Sequence, residues 1–333
     1  MKAPRSFRAS PPTLQRALRA CALGFAILAP HAVAQGWPAR PVKIVVPNAP
    51  GAAPDVIARI AAERLSRIVG SAFVVENNTA GAGLVAAQGV AKSPPDGYTL
   101  LVGTITSFAL NPNLYPQTPY RPERDFVGAA MLYDTGSQVV AVHPDVAARS
   151  LGELIALAKE QPGKVAYAAD RGLASIVGEW MFRTAGAPMT LIPYKVPSQS
   201  LSDTAAGRTQ AIIISIAAIE PLRKAGKLRV LAVSSAKRFP GMPEVPAVSE
   251  TLPGFNGSGW STLAAPAGTP VDVLQRINQA TERVLKDPDY QQRLLALGYV
   301  TDSAWSLAEI AELYRRENEK WGRIIRELGI KPE

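Results

Sequence analysis

From residue 41 onward, short β-branched runs alternate with longer runs of helical periodicity, and this alternation constrains the fold more than any other feature. Val42-Lys43-Ile44-Val45-Val46 reads as a buried strand. Asp55 to Val69 follows as a helix, with Val56, Ile57, Ile60, Leu65 and Ile68 on one face and Arg59, Glu63, Arg64 and Arg67 largely opposite. Phe73 to Glu76 is strand-like, residues 84–92 helical, and Tyr98 to Val102 a strand again. Strand, helix, strand at this spacing predicts right-handed βαβ units, because a parallel neighbour needs a helical crossover to return the chain. A second series starts near residue 139. It has strands at 139–142, 165–168, 190–194, 210–214 and 229–233, and helices after a Ser150-Leu151-Gly152-Glu153 capping box and over 174–185. Residues 240–270, rich in Pro and Gly, read as extended connection and turns. Two capped helices close the chain, one with Thr269 as N-cap before Pro270 and one opened by Ser306-Leu307-Ala308-Glu309. The length of 333 residues fits two such α/β units.

The first 34 residues obey a different logic. Lys2, Arg5, Arg8, Arg16 and Arg19 precede an apolar stretch from Ala20 to Ala29, then Pro30 and the small-residue site Ala32-Val33-Ala34. This is the pattern of a cleaved secretory signal peptide, and it predicts an exported protein. The apolar stretch is shorter than the roughly 20 residues a membrane-spanning helix needs. Cleavage after Ala34 would remove Cys21 and His31, leaving no cysteine and one histidine, His143. Disulfides, cysteine-based metal sites and thiol nucleophiles are then excluded, and a Ser-His-Asp triad would have to use His143. That residue sits at the end of an apolar strand, just before Pro144, and reads as a strand-end residue. The formal net charge of +9 includes five positive charges from the leader; the remainder is an ordinary mixed surface with no nucleic-acid signature.

Chemistry is expected at the strand-to-helix junctions. Pro47-Asn48-Ala49-Pro50-Gly51-Ala52-Ala53-Pro54-Asp55 joins the first strand to the first helix. The first amides of such a helix have no internal acceptor, and small residues let an anion approach them. Asp55 as a simple helix cap fits the same residues. Gly81-Ala82-Gly83-Leu84-Val85-Ala86 matches G-x-G-x-x-A, but Asn77-Asn78-Thr79-Ala80 intervenes after the strand. The nearest later acid, Asp96, lies in a Pro-Pro-Asp-Gly turn, so the nucleotide reading is rejected. At the corresponding junction of the second series, Asp170-Arg171-Gly172 offers an arginine that would clamp a carboxylate through two parallel hydrogen bonds, or would pair with Asp170 in solvent. No cofactor-binding or metal-ligand motif is visible. Trp180, Trp305 and Trp321 fall at helical core spacing.

Several further stretches matter together: Pro94 to Leu101, Asn111-Pro112-Asn113-Leu114-Tyr115, Pro119-Tyr120 with Asp125-Phe126, Pro193-Tyr194-Lys195, Ala225 to Arg229, and Ala264 to Pro270. On these the chain, from Trp37 to Ile330, resembles the Bug family, periplasmic solute-binding receptors of tripartite tricarboxylate transporters. The resemblance implies a two-lobed α/β flytrap, each lobe a mostly parallel sheet flanked by helices. Lobe 1 would be residues 35–138 plus 253–333, and lobe 2 residues 139–252. It implies a small organic carboxylate as ligand, permease subunits as partners, no cofactor, no catalysis and a monomer. By motif it places ligand contacts at Asn48, Ala49, Gly51, Ala52, Asp55, Thr104 and Ser107 in lobe 1, and at Ala169, Asp170, Arg171, Ser175, Tyr194, Ser198 and Ser215 in lobe 2.

The loops depart from the family pattern. Gly51-Ala52-Ala53-Pro54-Asp55 stands where Gly-Gly-x-Thr/Ser-Asp is usual, and Ala168 to Ser175 replaces a Ser-Ser-Gly-x-Gly-Thr/Ser loop. An Asp-Asn pair appears as Ile214-Ser215, and the glycine after Pro-Tyr-Lys as Val196. These changes predict a more apolar pocket, suited to a carboxylate with a hydrophobic or aromatic body held by Arg171. A periplasmic partner of a sensor kinase, or an orphan receptor, is compatible with the same fold.

Overall fold

The computed structural model describes residues 36–301 and 304–330. The leader reading lies outside the described residues. Residues 36–39 contain neither helix nor strand, and a single compact unit begins at Arg40. In chain order its elements are β1 (Val42–Val46), α1 (Ala53–Val69), β2 (Phe73–Asn77), α2 (Leu84–Ala91), β3 (Thr99–Thr104), β4 (Phe126–Gly136), β5 (Gln138–Val142), α3 (Leu151–Glu160), β6 (Ala166–Asp170), α4 (Leu173–Thr184), β7 (Thr190–Tyr194), α5 (Pro197–Ala205), β8 (Ala211–Ser215), α6 (Ile216–Lys224), β9 (Arg229–Val233), β10 (Gly259–Pro266), α7 (Val271–Leu285), α8 (Pro288–Leu297), β11 (Tyr299–Val300) and α9 (Leu307–Glu327).

The strands form two sheets, ordered β11-β4-β10-β3-β1-β2 and β7-β6-β8-β5-β9. Both are mixed: most strands of each sheet run in one direction, as expected, with β10 and β11 reversed in the first and β5 in the second. Parallel pairing is confined to β2-β1-β3 and to β7-β6-β8. β10 runs antiparallel to β3 and β4, and β5 antiparallel to β8 and β9. The reason is the route of the chain. It leaves the first sheet at Gly136, crosses directly into β5, which opens the second sheet, and returns through residues 234–258 into β10, which enters between β3 and β4 and runs against both.

The long strands β4 and β10, and the two-residue β11, were hidden from the sequence. β4 carries no alternation, and β10 lies in the Pro/Gly-rich stretch read as turns; in fact all eight of its residues are buried. A strand covered on both faces shows no polar face for alternation to reveal. On one face, Thr262 Oγ1 lies 2.6 Å from the hydroxyl of Tyr314 on α9. Phe108 packs there against Tyr314 and Phe126 at ring separations of 4.7 and 5.1 Å. The Gly103 position admits this ring, since a Cβ there would sit 2.3 Å from Phe108 Cε2.

Two helix starts follow their local signals. Ser150 accepts the Glu153 N–H, and Ser306 and Glu309 form a reciprocal capping box. The N-cap of α7 is Pro270, not Thr269, because the Thr269 hydroxyl donates to the Pro266 carbonyl at 2.8 Å. Arg64, expected on the solvent face of α1, is buried. Its guanidinium donates to Asp287 at 2.7 Å and also to Asp289, two acids at the start of α8 that a helical wheel of α1 cannot foresee. Among the described residues no helix is long and apolar enough to cross a membrane.

Candidate functional site

Strand register decides where chemistry can gather. Thr104 at the end of β3 pairs with Ser261, Gly136 at the end of β4 with Gly259, and Ser215 at the end of β8 with Gln138. The carboxyl ends of β3, β4 and β8 therefore meet at the crossing segments. In an open α/β sheet that is where loops and helix N-termini are free to hold a ligand.

The loop after β1 is built around Asp55, 2% exposed. Its carboxylate accepts the Gly51 N–H at 2.8 Å, Arg59 Nε at 3.0 Å and Asn77 Nδ2 at 2.8 Å. Burial alone would raise the Asp55 carboxyl, but these hydrogen bonds and the Arg59 charge outweigh it and hold the group below its ordinary value. Asn77 Nδ2 also donates to the Asn48 carbonyl at 3.0 Å, so one amide clamps both ends of the loop. Both Asp55 oxygens are thus occupied by protein donors. Ala49 and Gly51 are exposed on the loop, and Ala52 caps α1 without a side-chain hydrogen bond. Asn48 Oδ1 is buried without a protein partner. Behind the loop, Thr104 Oγ1 and Ser107 Oγ lie 3.4 Å apart, both buried, and Ser261 Oγ beside them has no partner.

The Gly81-Ala82-Gly83 segment forms a tight turn with all three residues at positive φ, 57°, 53° and 83°. A Cβ at Gly83 would lie 2.8 Å from Pro47 Cβ, so a glycine lets this turn close against the loop after β1. Ala82 holds a left-handed conformation at some energetic cost, of the kind found near binding sites.

In the second sheet, Ala169 is fully buried, and burial raises the Asp170 carboxyl above its ordinary value. Arg171 is exposed at the turn. Gly172, at φ 125°, takes a conformation open to glycine and opens α4. The Ser175 hydroxyl donates to the Gly172 carbonyl at 2.9 Å and accepts the Gly172 N–H at 3.2 Å, locking that turn. Tyr194 donates its hydroxyl to Asp203 at 2.8 Å, and Ser198 is exposed at the start of α5. Ser215 caps α6 without a side-chain hydrogen bond.

A cavity of about 690 Å³ unites part of this set. Arg171 and Ser175 line it; Asn48, Ala49, Gly51, Ala52, Asp55, Thr104, Ser107, Ala169, Asp170, Tyr194, Ser198 and Ser215 do not. One wall comes from the second sheet's side: Arg171, Gly172, Ser175, Ile176 and Glu179 along α4, with Leu191 and Pro193 of β7. The other comes from Ala82, Thr106, Leu110, Asn111, Leu114 and Tyr115, closed by Leu328, Gly329 and Ile330 after α9. The volume lies within the range of about 300–1,000 Å³ usual for small-molecule sites. Sequence reasoning missed most of this wall. The sequence marks Asn111 to Tyr115 only through the family resemblance, and nothing local shows that residues 328–330 return to it. Arg183 explains that return: its guanidinium donates to the Leu328 carbonyl at 2.7 Å, while Trp180 and Trp321 meet edge to face at 5.9 Å. Among the described residues no three His, Cys, Asp or Glu side chains converge as metal ligands would.

Two mixed sheets joined by crossing segments, with a cavity that the helix start after β6 helps to line, define a solute-binding architecture of the periplasmic type. The chain belongs to the tripartite tricarboxylate transporter family receptors, whose family model matches residues 57–330. It is 32% identical over 319 residues to a UPF0065 protein of Bordetella bronchiseptica, covering 96% of this chain and 95% of that one. Among solved structures, "R. palustris Rpa4515 with adipate" is similar with a TM-score of 0.78 and 30% identity, covering 89% of this chain and all of that one. The periplasmic binding protein BugD is similar with a TM-score of 0.74 and 26% identity, covering 89% of this chain and 100% of that one.

Proposed function

We propose that this protein is a periplasmic receptor that captures a small organic carboxylate with an apolar or aromatic body and passes it to the permease subunits of a tripartite tricarboxylate-type transporter. It acts as a monomer, without cofactor and without chemical turnover. The observation that carries this reading is the composition of the cavity. A guanidinium and a helix start stand at one place in a lining where the apolar side chains of Leu110, Leu114, Ile176, Leu191 and Pro193 alternate with the polar ones of Thr106, Asn111 and Glu179. Arginine and the free amides at the start of α4 both favour an anion, and the apolar wall favours a hydrophobic body. The adipate held by the R. palustris neighbour supports a carboxylate ligand.

In this reading residues 35–138 with 253–333 form one lobe and 139–252 the other. The segments near Gly136 and 234–258 form the hinge, and closure brings the loop at Asn48–Asp55 and the Thr104–Ser107 turn toward Arg171, completing the site and expelling water. The basic and apolar leader pattern supports export.

Thermal unfolding of the purified protein, first unfolded and refolded to remove carried-over ligand, tests the reading against a panel of aliphatic and aromatic carboxylates. A ligand at 100 times its Kd adds about 2.7 kcal/mol to the native state. That raises Tm by several degrees, at roughly 2–4 °C per kcal/mol. Arg171→Ala should abolish most of the shift. A variant that responds as the parent does would refute the role given to Arg171.

A further inference from the structure

The cavity is electrically polar along its length. Gly172, Ser175, Ile176 and Glu179 recur at intervals of three and four residues, so a single face of α4 forms one wall. At 1.5 Å per residue, Gly172 and Glu179 stand about 10 Å apart along the helix axis. Arg171 and the helix start lie at one end of that wall, and the Glu179 carboxylate at the other.

The protein gives Glu179 weak company. The Tyr167 hydroxyl reaches Glu179 Oε2 at 3.5 Å, and Arg183 Nη1 lies 4.0 Å from Oε1. Arg183 makes its short contact elsewhere, at 2.7 Å with the Leu328 carbonyl, and its side chain is 47% exposed. Glu179 itself is 32% exposed, so an acceptor faces the cavity with capacity left for a donor.

We infer that this site selects monocarboxylates with an apolar or aromatic body and a hydrogen-bond donor, hydroxyl or ammonium, at the far end. Glu179 is the residue that accepts that donor and rejects a second carboxylate. The inference rests on the receptor reading above and narrows it. A dicarboxylate spanning the cavity would bring one anion to Arg171 and the other against Glu179, where like charges in a partly shielded site repel. A distal hydroxyl or ammonium would instead donate to Glu179, and an apolar tip would leave that carboxylate without a new partner.

The test is calorimetric titration of the refolded protein with phenylpropanoate, para-hydroxyphenylpropanoate, para-carboxyphenylpropanoate and adipate, for the parent and for Glu179→Gln. The expected order in the parent is the hydroxyl compound tightest and the two dicarboxylates weakest. Glu179→Gln should tighten para-carboxyphenylpropanoate by about tenfold, an effect of the size a discounted, partly exposed charge pair gives, and weaken the hydroxyl preference. Dicarboxylates that bind the parent as tightly as the hydroxyl compound, or a Glu179→Gln protein with unchanged preferences, would overturn the inference and leave the carboxylate receptor standing. Absence of binding by all four probes would overturn both. Glu179→Gln preserves shape and hydrogen-bonding reach, and a circular dichroism melt matching the parent confirms that the variant is folded.

Discussion

Asp55→Asn isolates what the loop after β1 owes to one buried carboxylate. In the parent, Oδ1 accepts Arg59 Nε at 3.0 Å and Asn77 at 2.8 Å, while Oδ2 accepts the Gly51 N–H at 2.8 Å and shares Arg59 at 3.1 Å. An asparagine keeps the shape but converts one oxygen to an NH2 group that accepts nothing. If the nitrogen takes the Oδ2 position, the Gly51 hydrogen bond is lost; in the Oδ1 position, the Asn77 bond is lost and two donors collide. Either way one hydrogen bond to a charged acceptor disappears and the rest lose their charge assistance. Arg59 is half exposed, so its ionic share is discounted, and the expected loss is about 2 kcal/mol. For a chain of this size that lowers Tm by roughly 4–8 °C at pH 7.

The pH dependence sharpens the test. Because the folded-state value of Asp55 is depressed, its contribution is complete above the unfolded-state value near 3.9 and is lost as pH falls through the folded one. The gap between parent and variant should therefore be constant from about pH 7 to 5 and narrow only in more acidic solution. Melts by circular dichroism across that range provide the assay. A gap below about 1 °C, or one that already closes between about pH 7 and 5, would refute the assignment of these hydrogen bonds to an ionised Asp55.

Two other expectations follow from packing and burial. Gly103→Ala drives a methyl to 2.3 Å from a Phe108 ring that Phe126 and Tyr314 hold in place; Tm should fall on the order of 6 °C or more, and a smaller loss would show that the ring cluster yields. Asp170→Asn should act in the opposite direction, because burial raises the Asp170 carboxyl and makes its charged form costly in the fold. The variant should melt higher at pH 7, on the order of 2 °C. That gain should shrink as pH falls through the raised folded value and vanish below the ordinary carboxylate range, as differential scanning calorimetry against pH would show.

The sequence and the tertiary structure contributed different things. Strand runs such as Val42–Val46 and Ala211–Ser215, and helix starts such as Ser150 and Ser306, were legible because their signals are local: β-branched side chains, caps and turn residues act within a few positions. So were the junction loops, since Gly, Pro and a capping acid mark them wherever the chain leads. The mixed sheets were not legible. β4 and β10 are buried on both faces, and their direction follows from two crossings of the chain. Nor was Arg64, whose partners Asp287 and Asp289 lie more than two hundred residues away.

At the candidate site the division is the same. Arg171 and Ser175 stood out as a cation and a hydroxyl at a strand-to-helix turn, and both face the cavity. Glu179, Tyr115 and Leu328 to Ile330 did not, because an acid on a helix or a leucine at the end of a chain looks alike whether it faces solvent or a ligand. Local signals in the chain were enough for the α/β architecture, the family resemblance and the position of the junction loops, because those depend on interactions among near neighbours. Which of those loops share a cavity, and what charge stands at its far end, emerged only on folding. Those depend on distances between residues that the chain keeps far apart until it folds.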